Sequence, residues 1–128
     1  MEYLTKNHSK FLLQYHFIFV VKYRKKIISK FPIKNILLSI KGKNFTIETL
    51  EIDKDHIHFL IRAEPKLSPL QVVRKLKQES TVILWKRYSK ILEKHFWKER
   101  TFWSNGYFVS TIGNVSEQTL RKYIDEQG

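Results

Sequence analysis

Residues Phe11 to Val21, FLLQYHFIFVV, constrain this chain more than any other segment. The run is almost wholly apolar and rich in aromatic and β-branched side chains, so it has no polar face to turn to water. That is the pattern of a central strand buried on both faces. A chain of 128 residues supports one hydrophobic core around such a strand and not two, which implies a single domain over residues 1–128. With 42% apolar and 28% charged residues, the composition is that of an ordinary folded protein. No apolar stretch approaches the ~20 residues of a membrane-spanning helix, and residues 1–6 do not resemble a secretory leader. A cytoplasmic protein without a membrane partner is therefore expected. Zero cysteines exclude disulfides, thiolate metal sites and cysteine nucleophiles.

Charge supplies the first indication of a partner. The formal net charge is +12 and unevenly spread. Residues 3–47 hold ten basic side chains and no acidic one, and residues 66–100 hold ten basic against three acidic. Glu48, Glu51, Asp53 and Asp55 form a small acidic island between them. Two basic surfaces flanking one acidic spot suit a polyanion gripped around a charged centre. The plainer reading is a basic protein with solvated lysines.

The remaining elements follow from periodicity and punctuation. Ile33, Ile36, Leu37 and Ile40 recur at helical spacing over residues 32–41, with Gly42 as a stop. Residues 45–53 alternate as a strand, Lys54 and Asp55 make a tight turn, and residues 56–62 form a second strand. In that strand Ile57, Phe59 and Ile61 face one way, while His56, His58, Leu60 and Arg62 face the other. Ser68-Pro69-Leu70-Gln71 is a capping sequence for a helix running to about Tyr88, with Val73, Leu76, Ser80, Ile83 and Leu84 inward. Residues 89–105 read as a short helix and a loop, residues 106–112 as a strand, and Asn114 with Glu117 caps a last helix through Gln127. This order predicts an α+β, ferredoxin-like antiparallel sheet with helices on one face and one additional C-terminal helix.

Two weak signals for chemistry stand on these elements. His56 and His58 leave the same strand face about 7 Å apart, close enough for two ring nitrogens to meet on one ion. Two polar residues on a solvent face would look the same. Tyr123 and Gln127 stack four residues apart on the last helix. A phenol titrates near ~10 and needs help to become a nucleophile. A glutamine carbonyl is a hard ligand suited to magnesium or manganese. Alone, Tyr123 reads equally as an amphipathic helix residue.

Together, Asp55-His56-Ile57-His58, the segments 15–25 and 102–108, and Gly113-Asn114-Val115-Ser116 leading to Tyr123-Ile124-Asp125-Glu126-Gln127 resemble the single-tyrosine HUH transposases (histidine, hydrophobic residue, histidine) of small bacterial and archaeal insertion sequences. The resemblance covers almost the whole chain. It implies that His56, His58 and Gln127 hold Mg2+ or Mn2+, and that Tyr123 is the nucleophile forming a 5′-phosphotyrosine. It implies single-stranded DNA hairpins at element ends as substrate. It also implies a homodimer in which Tyr123 of one subunit serves the His56/His58 site of the other. Lys22, Arg24, Lys25, Arg74, Lys75 and Lys77 are candidate phosphate contacts. Asp55 either orients a ligand histidine or shapes the turn. His16 reads as a satisfied sheet histidine, and His8 and His95 as surface residues. Trp97 and Trp103 are either core or base-stacking. The alternative to a transposase is a non-catalytic or domesticated nucleic-acid-binding protein of the same fold.

Overall fold

The computed structural model describes residues 4–6, 9–11, 13–40, 42, 44–111 and 117–126. A short hairpin of β1 (Leu4–Lys6) and β2 (Ser9–Phe11) precedes the main sheet. The chain then runs β3 (Gln14–Val20), α1 (Ile33–Ser39), β4 (Phe45–Ile52), β5 (His56–Ala63), α2 (Pro69–Leu92), β6 (Phe108–Ser110) and α3 (Glu117–Glu126). The four-stranded sheet has the order β4-β5-β3-β6, antiparallel throughout, which is the ferredoxin-like arrangement expected from the element order. The apolar run is split, however. Phe11 closes the hairpin and only residues 14–20 enter the main sheet.

β3 is central and buried on both faces, because different elements cover its two sides. Phe17, Phe19 and Val21 join Ile57, Phe59 and Ile61 of β5 in the main core, beneath α1 and α2. Ile18 and Val20 point the other way and meet Ile124 of α3, with Phe108 and Tyr123 packed alongside. α3 therefore closes the sheet face opposite the other two helices.

Several local devices hold these pieces. Ser68 and Gln71 form a reciprocal capping box at the start of α2, as the sequence predicts. Non-helical backbone at Tyr88 (φ −130°, ψ 30°) interrupts that helix where its apolar spacing ends, and a last turn continues to Leu92. In β4 a bulge between Ile47 and Thr49 adds a residue, so the apolar alternation of Phe45 and Ile47 resumes at Leu50. Gly42 serves close approach more than helix termination. α1 already ends at Ser39, and a Cβ on Gly42 would lie 1.9 Å from the Phe45 ring. The expected cap at Asn114 lies outside the described residues. Among the described residues, no helix is long and apolar enough to cross a membrane.

Lys77 is built into this frame. Its ammonium donates to the carbonyls of Ser104 (2.7 Å) and Gly106 (2.6 Å), tying α2 to the segment before β6. Those bonds give it a structural task. Burial pushes its pKa down to about 8, although the two carbonyls favour the charged form. Between pH 8 and 10.5 the unfolded chain therefore holds a proton that the folded chain has released, and this group's contribution to stability grows as pH rises through that window. Urea unfolding of wild type and Lys77→Met at pH 8 and pH 10 is expected to show the difference moving in favour of wild type at the higher pH.

Candidate active site

The antiparallel register carries His56 and His58 opposite Val20 and Ile18. Both imidazoles consequently lie on the sheet face that α3 covers. The expectation of a solvent face is corrected for His56, which is 8% exposed. His58 remains half-buried. The rings are 6.3 Å apart between centroids. His16, on the same face of β3, stacks on His58 with centroids 5.5 Å apart and planes within 5°. It is thus a wall of the site as well as a sheet residue.

Each site histidine is addressed by a carboxylate. Asp55 Oδ1 lies 2.9 Å from His56 Nδ1, and the carboxylate is itself buried. A neutral His56 donating from Nδ1 keeps its Nε2 lone pair for a ligand. Glu51, across the β4–β5 ladder, places Oε2 3.0 Å from His58 Nε2. Burial lowers the His58 pKa, with Glu51 opposing that shift, and so favours the neutral ring, the form able to bind a metal. Asp55 is placed both to shape the turn and to orient the ring: its backbone carbonyl accepts from Val21 N at the turn, and its side chain lies 2.9 Å from His56 Nδ1.

Among the described residues, no three His, Cys, Asp or Glu side chains group to hold a metal ion. The third expected donor, Gln127, lies outside the described residues. Two imidazoles on one strand face, each beside a carboxylate, nevertheless fit the donor chemistry of a divalent-metal site.

Arg24 links this centre to α3. It lies between Asp55 (3.8 Å) and Asp125 (3.4 Å). Beside it, a cavity of about 280 Å³ is lined by Arg24, Lys26, Lys54, Arg121, Asp53, Asp55, His56 and Ile124. Four cations against two carboxylates around His56 form a setting for a phosphate. Of these cations, only Arg24 is among the phosphate contacts expected from the sequence. Arg121 was detectable in principle, since it sits three residues before the apolar Ile124 on the same helix.

Tyr123 packs its ring edge-on to Phe108 (5.7 Å) on the same sheet face. Its hydroxyl is buried without a hydrogen-bond partner among the described residues, and burial pushes the phenol well above its ordinary pKa. As packed, it is a protonated phenol.

The other expected phosphate contacts are dispersed. Lys22 pairs with Glu99, and Lys25 lines a second cavity beside Tyr23. Lys75 pairs with Glu79 at 2.7 Å, while Arg74 lines a groove of about 700 Å³ beside α2 on the opposite side of the sheet. The tryptophans separate cleanly. Trp103 is core and donates to Ser80 Oγ, whereas Trp97 stands in solvent. His95 is partly buried in the second cavity, and His8 lies outside the described residues.

Comparison with known proteins places this architecture among transposases. A crystal structure described as a transposase from Deinococcus radiodurans superposes with a TM-score of 0.83 at 24% identity, covering 97% of each chain. The REP-associated tyrosine transposase bound to a REP hairpin shares the fold more distantly, with a TM-score of 0.54 and 13% identity over 96% of this chain and 70% of that one. Sequence narrows the assignment. The chain is 30% identical to the transposase for insertion sequence element IS200 of Salmonella typhimurium over 124 residues, 94% of this chain and 80% of that protein. It is also 30% identical to the ISDra2 transposase TnpA of Deinococcus radiodurans over 119 residues, 90% and 84% of the two chains. The family model of the IS200-like transposases matches residues 9–127, and the chain belongs to that family.

Proposed function

We propose that this transposase cleaves and rejoins single-stranded DNA through Tyr123, at a divalent-metal site formed by His56, His58 and Gln127. The observation that carries the reading is the sharing of one sheet face. β5 presents the two imidazoles there, and α3 brings Tyr123 onto the same face through Ile18, Val20 and Ile124. In this reading the Tyr123 oxygen attacks the scissile phosphorus as the bond to the 3′-oxygen breaks. The departing oxygen takes a proton to become a 3′-hydroxyl, and the protein keeps the 5′-phosphate as a phosphotyrosine. Another 3′-hydroxyl can then attack that link and release the tyrosine, which joins new ends without ATP.

Mg2+ or Mn2+, when bound, offsets the charge that develops on the phosphate. Asp55 fixes the His56 ring, and burial favours the neutral form of His58. Arg24, Lys26, Lys54 and Arg121 attract the backbone phosphates. Hairpins at element ends are the proposed substrates, by analogy with the hairpin-bound relative.

The test is a denaturing gel of protein mixed with labelled single-stranded hairpins from the flanking DNA. The expected result is a denaturant-resistant adduct that requires added metal. Hairpin binding without any adduct would instead favour the non-catalytic or domesticated alternative, on whose side the buried Tyr123 hydroxyl stands.

A homodimer exchanging Tyr123 between subunits belongs to the same reading. Within one chain α3 rests on its own sheet through a small apolar contact and a part-exposed ion pair, a contact small enough to be exchanged between copies. Two inactive variants, one lacking Tyr123 and one lacking His56, are expected to regain about a quarter of wild-type adduct when mixed after mild unfolding, because half of the dimers then hold one complete site. No recovery would assign Tyr123 to the site of its own chain.

A further inference from the structure

Two aromatic side chains stand in solvent close to the site. Trp97 is 76% and Tyr23 60% exposed, while Trp85 and Trp103 are buried. Tyr23 and Trp97 line one cavity of about 300 Å³ together with Lys25, Phe96 and Lys98. That volume is at the lower end of the range for small-molecule sites.

The backbone shows that this exposure is enforced. Tyr23 (φ 61°) and Arg24 (φ 53°) both adopt left-handed conformations, which side chains other than glycine resist. Hydrogen bonds from Lys22 N to Phe102 O and from Arg24 N to Val21 O hold the turn, as do the contacts of Arg24 with Asp55 and Asp125. Its consequence is a division of neighbours: Arg24 enters the cavity of His56, and Tyr23 enters the cavity of Trp97. Strain of this kind persists where the surrounding structure has a use for it.

The second cavity is also positive. Lys22 Nζ lies 5.7 Å from the centre of the Tyr23 ring, and Lys98 Nζ lies 4.9 Å from that of Trp97. Its one acidic lining residue, Glu99, is paired with Lys22. Besides burial, Lys25, Lys30 and Lys94 lower the His95 pKa, which registers the same positive field.

We propose that Tyr23 and Trp97 form a nucleobase-stacking subsite for single-stranded DNA beside the His56 cavity, with Lys25 and Lys98 meeting the flanking phosphates. This rests on the reading of single-stranded DNA as substrate and adds a second point of grip. Exposed rings interleaved with cations suit a strand that offers a flat face at every base and a charge between bases. A stacked base accounts for about 5- to 150-fold in affinity.

Tryptophan fluorescence tests it directly, because Trp97 is the only solvent-exposed tryptophan of the three. The full chain is titrated with oligothymidylate and with an abasic deoxyribose-phosphate strand of equal length. Oligothymidylate is expected to quench the signal and bind about tenfold tighter or more. Followed by the anisotropy of end-labelled strands, which needs no tryptophan reporter, Trp97→Ala should remove that preference and Trp97→Phe should retain most of it. Tyr23→Asn, which tolerates the left-handed turn, should weaken oligothymidylate by about tenfold. Equal affinity for the two strands, or no effect of Trp97→Ala, overturns the subsite. The adduct assay on the same samples separates the two readings. Adducts without base preference sink the subsite alone, and base-dependent quenching without adducts from any hairpin sinks the cleavage reading alone.

Discussion

Tyr123→Phe is expected to abolish the covalent protein–DNA adduct and, in the same molecule, to raise thermal stability. The first effect follows from removing the only oxygen of that side chain, and loss of a covalent nucleophile costs on the order of 10⁴-fold or more. The second follows from the packing. The hydroxyl is buried with no partner among the described residues, while the ring lies against Phe108, Ile18 and Val20. An unsatisfied buried hydroxyl costs about 1–3 kcal/mol, and phenylalanine removes that cost while keeping the ring contacts. A gain of about 1 kcal/mol would raise Tm by roughly 3–5 °C for a domain of this size. The two signs together are diagnostic, since a residue that merely supports the fold would lose stability when altered. They also describe a trade between stability and activity: the burial that lifts the phenol's pKa has to be undone before its oxygen can attack. Parallel thermal melts and adduct gels check both halves. A less stable variant would mean that the hydroxyl is bonded in solution, and a surviving adduct would put the nucleophile elsewhere.

How much of this was legible in the sequence depended on whether the cause was local. The Ser68 cap reads directly because both bonding partners lie within four residues. The division of β5 into a core face and a histidine face reads from period two, because Ile57, Phe59 and Ile61 leave no alternative. The central position of β3 reads from its two apolar faces. Burial of His56 does not, because the covering helix begins some sixty residues later and its docking is decided by Ile124 meeting Ile18 and Val20. The His16–His58 stack and the Glu51–His58 contact required the strand register, and the β4 bulge shifts that register by one residue. The left-handed pair at Tyr23 and Arg24 carries no glycine or asparagine to announce it, since tertiary bonds to Phe102, Asp55 and Asp125 impose it. His56, His58 and Tyr123 could therefore be named as candidates from the sequence, and the sheet face they share, its walls and its electrostatics only from the fold.

The second large effect concerns the unit formed by Arg24, Asp55 and His56. His56→Ala removes a proposed ligand and is expected to eliminate metal-dependent adduct formation. Asp55→Asn keeps the shape of the turn, whose backbone bond from Val21 N to Asp55 O does not involve the side chain, and removes the carboxylate charge that faces both His56 Nδ1 and Arg24 Nε. Loss of such an orienting carboxylate typically weakens metal affinity by about 10- to 100-fold. Asp55→Ala should lie between the two, because it also takes away the side-chain polar atoms beside Arg24 Nε, a buried group with no hydrogen bond among the described residues. The discriminating readout is the Mn2+ concentration giving half-maximal adduct. A carboxylate that tunes the imidazole moves that midpoint and leaves the yield at saturating metal largely intact. One that only shapes the turn lowers stability and yield together and leaves the midpoint where it was. An unchanged midpoint in Asp55→Asn, beside a dead His56→Ala, would reduce Asp55 to a turn residue and leave His56 oriented by its burial between the sheet and α3 alone.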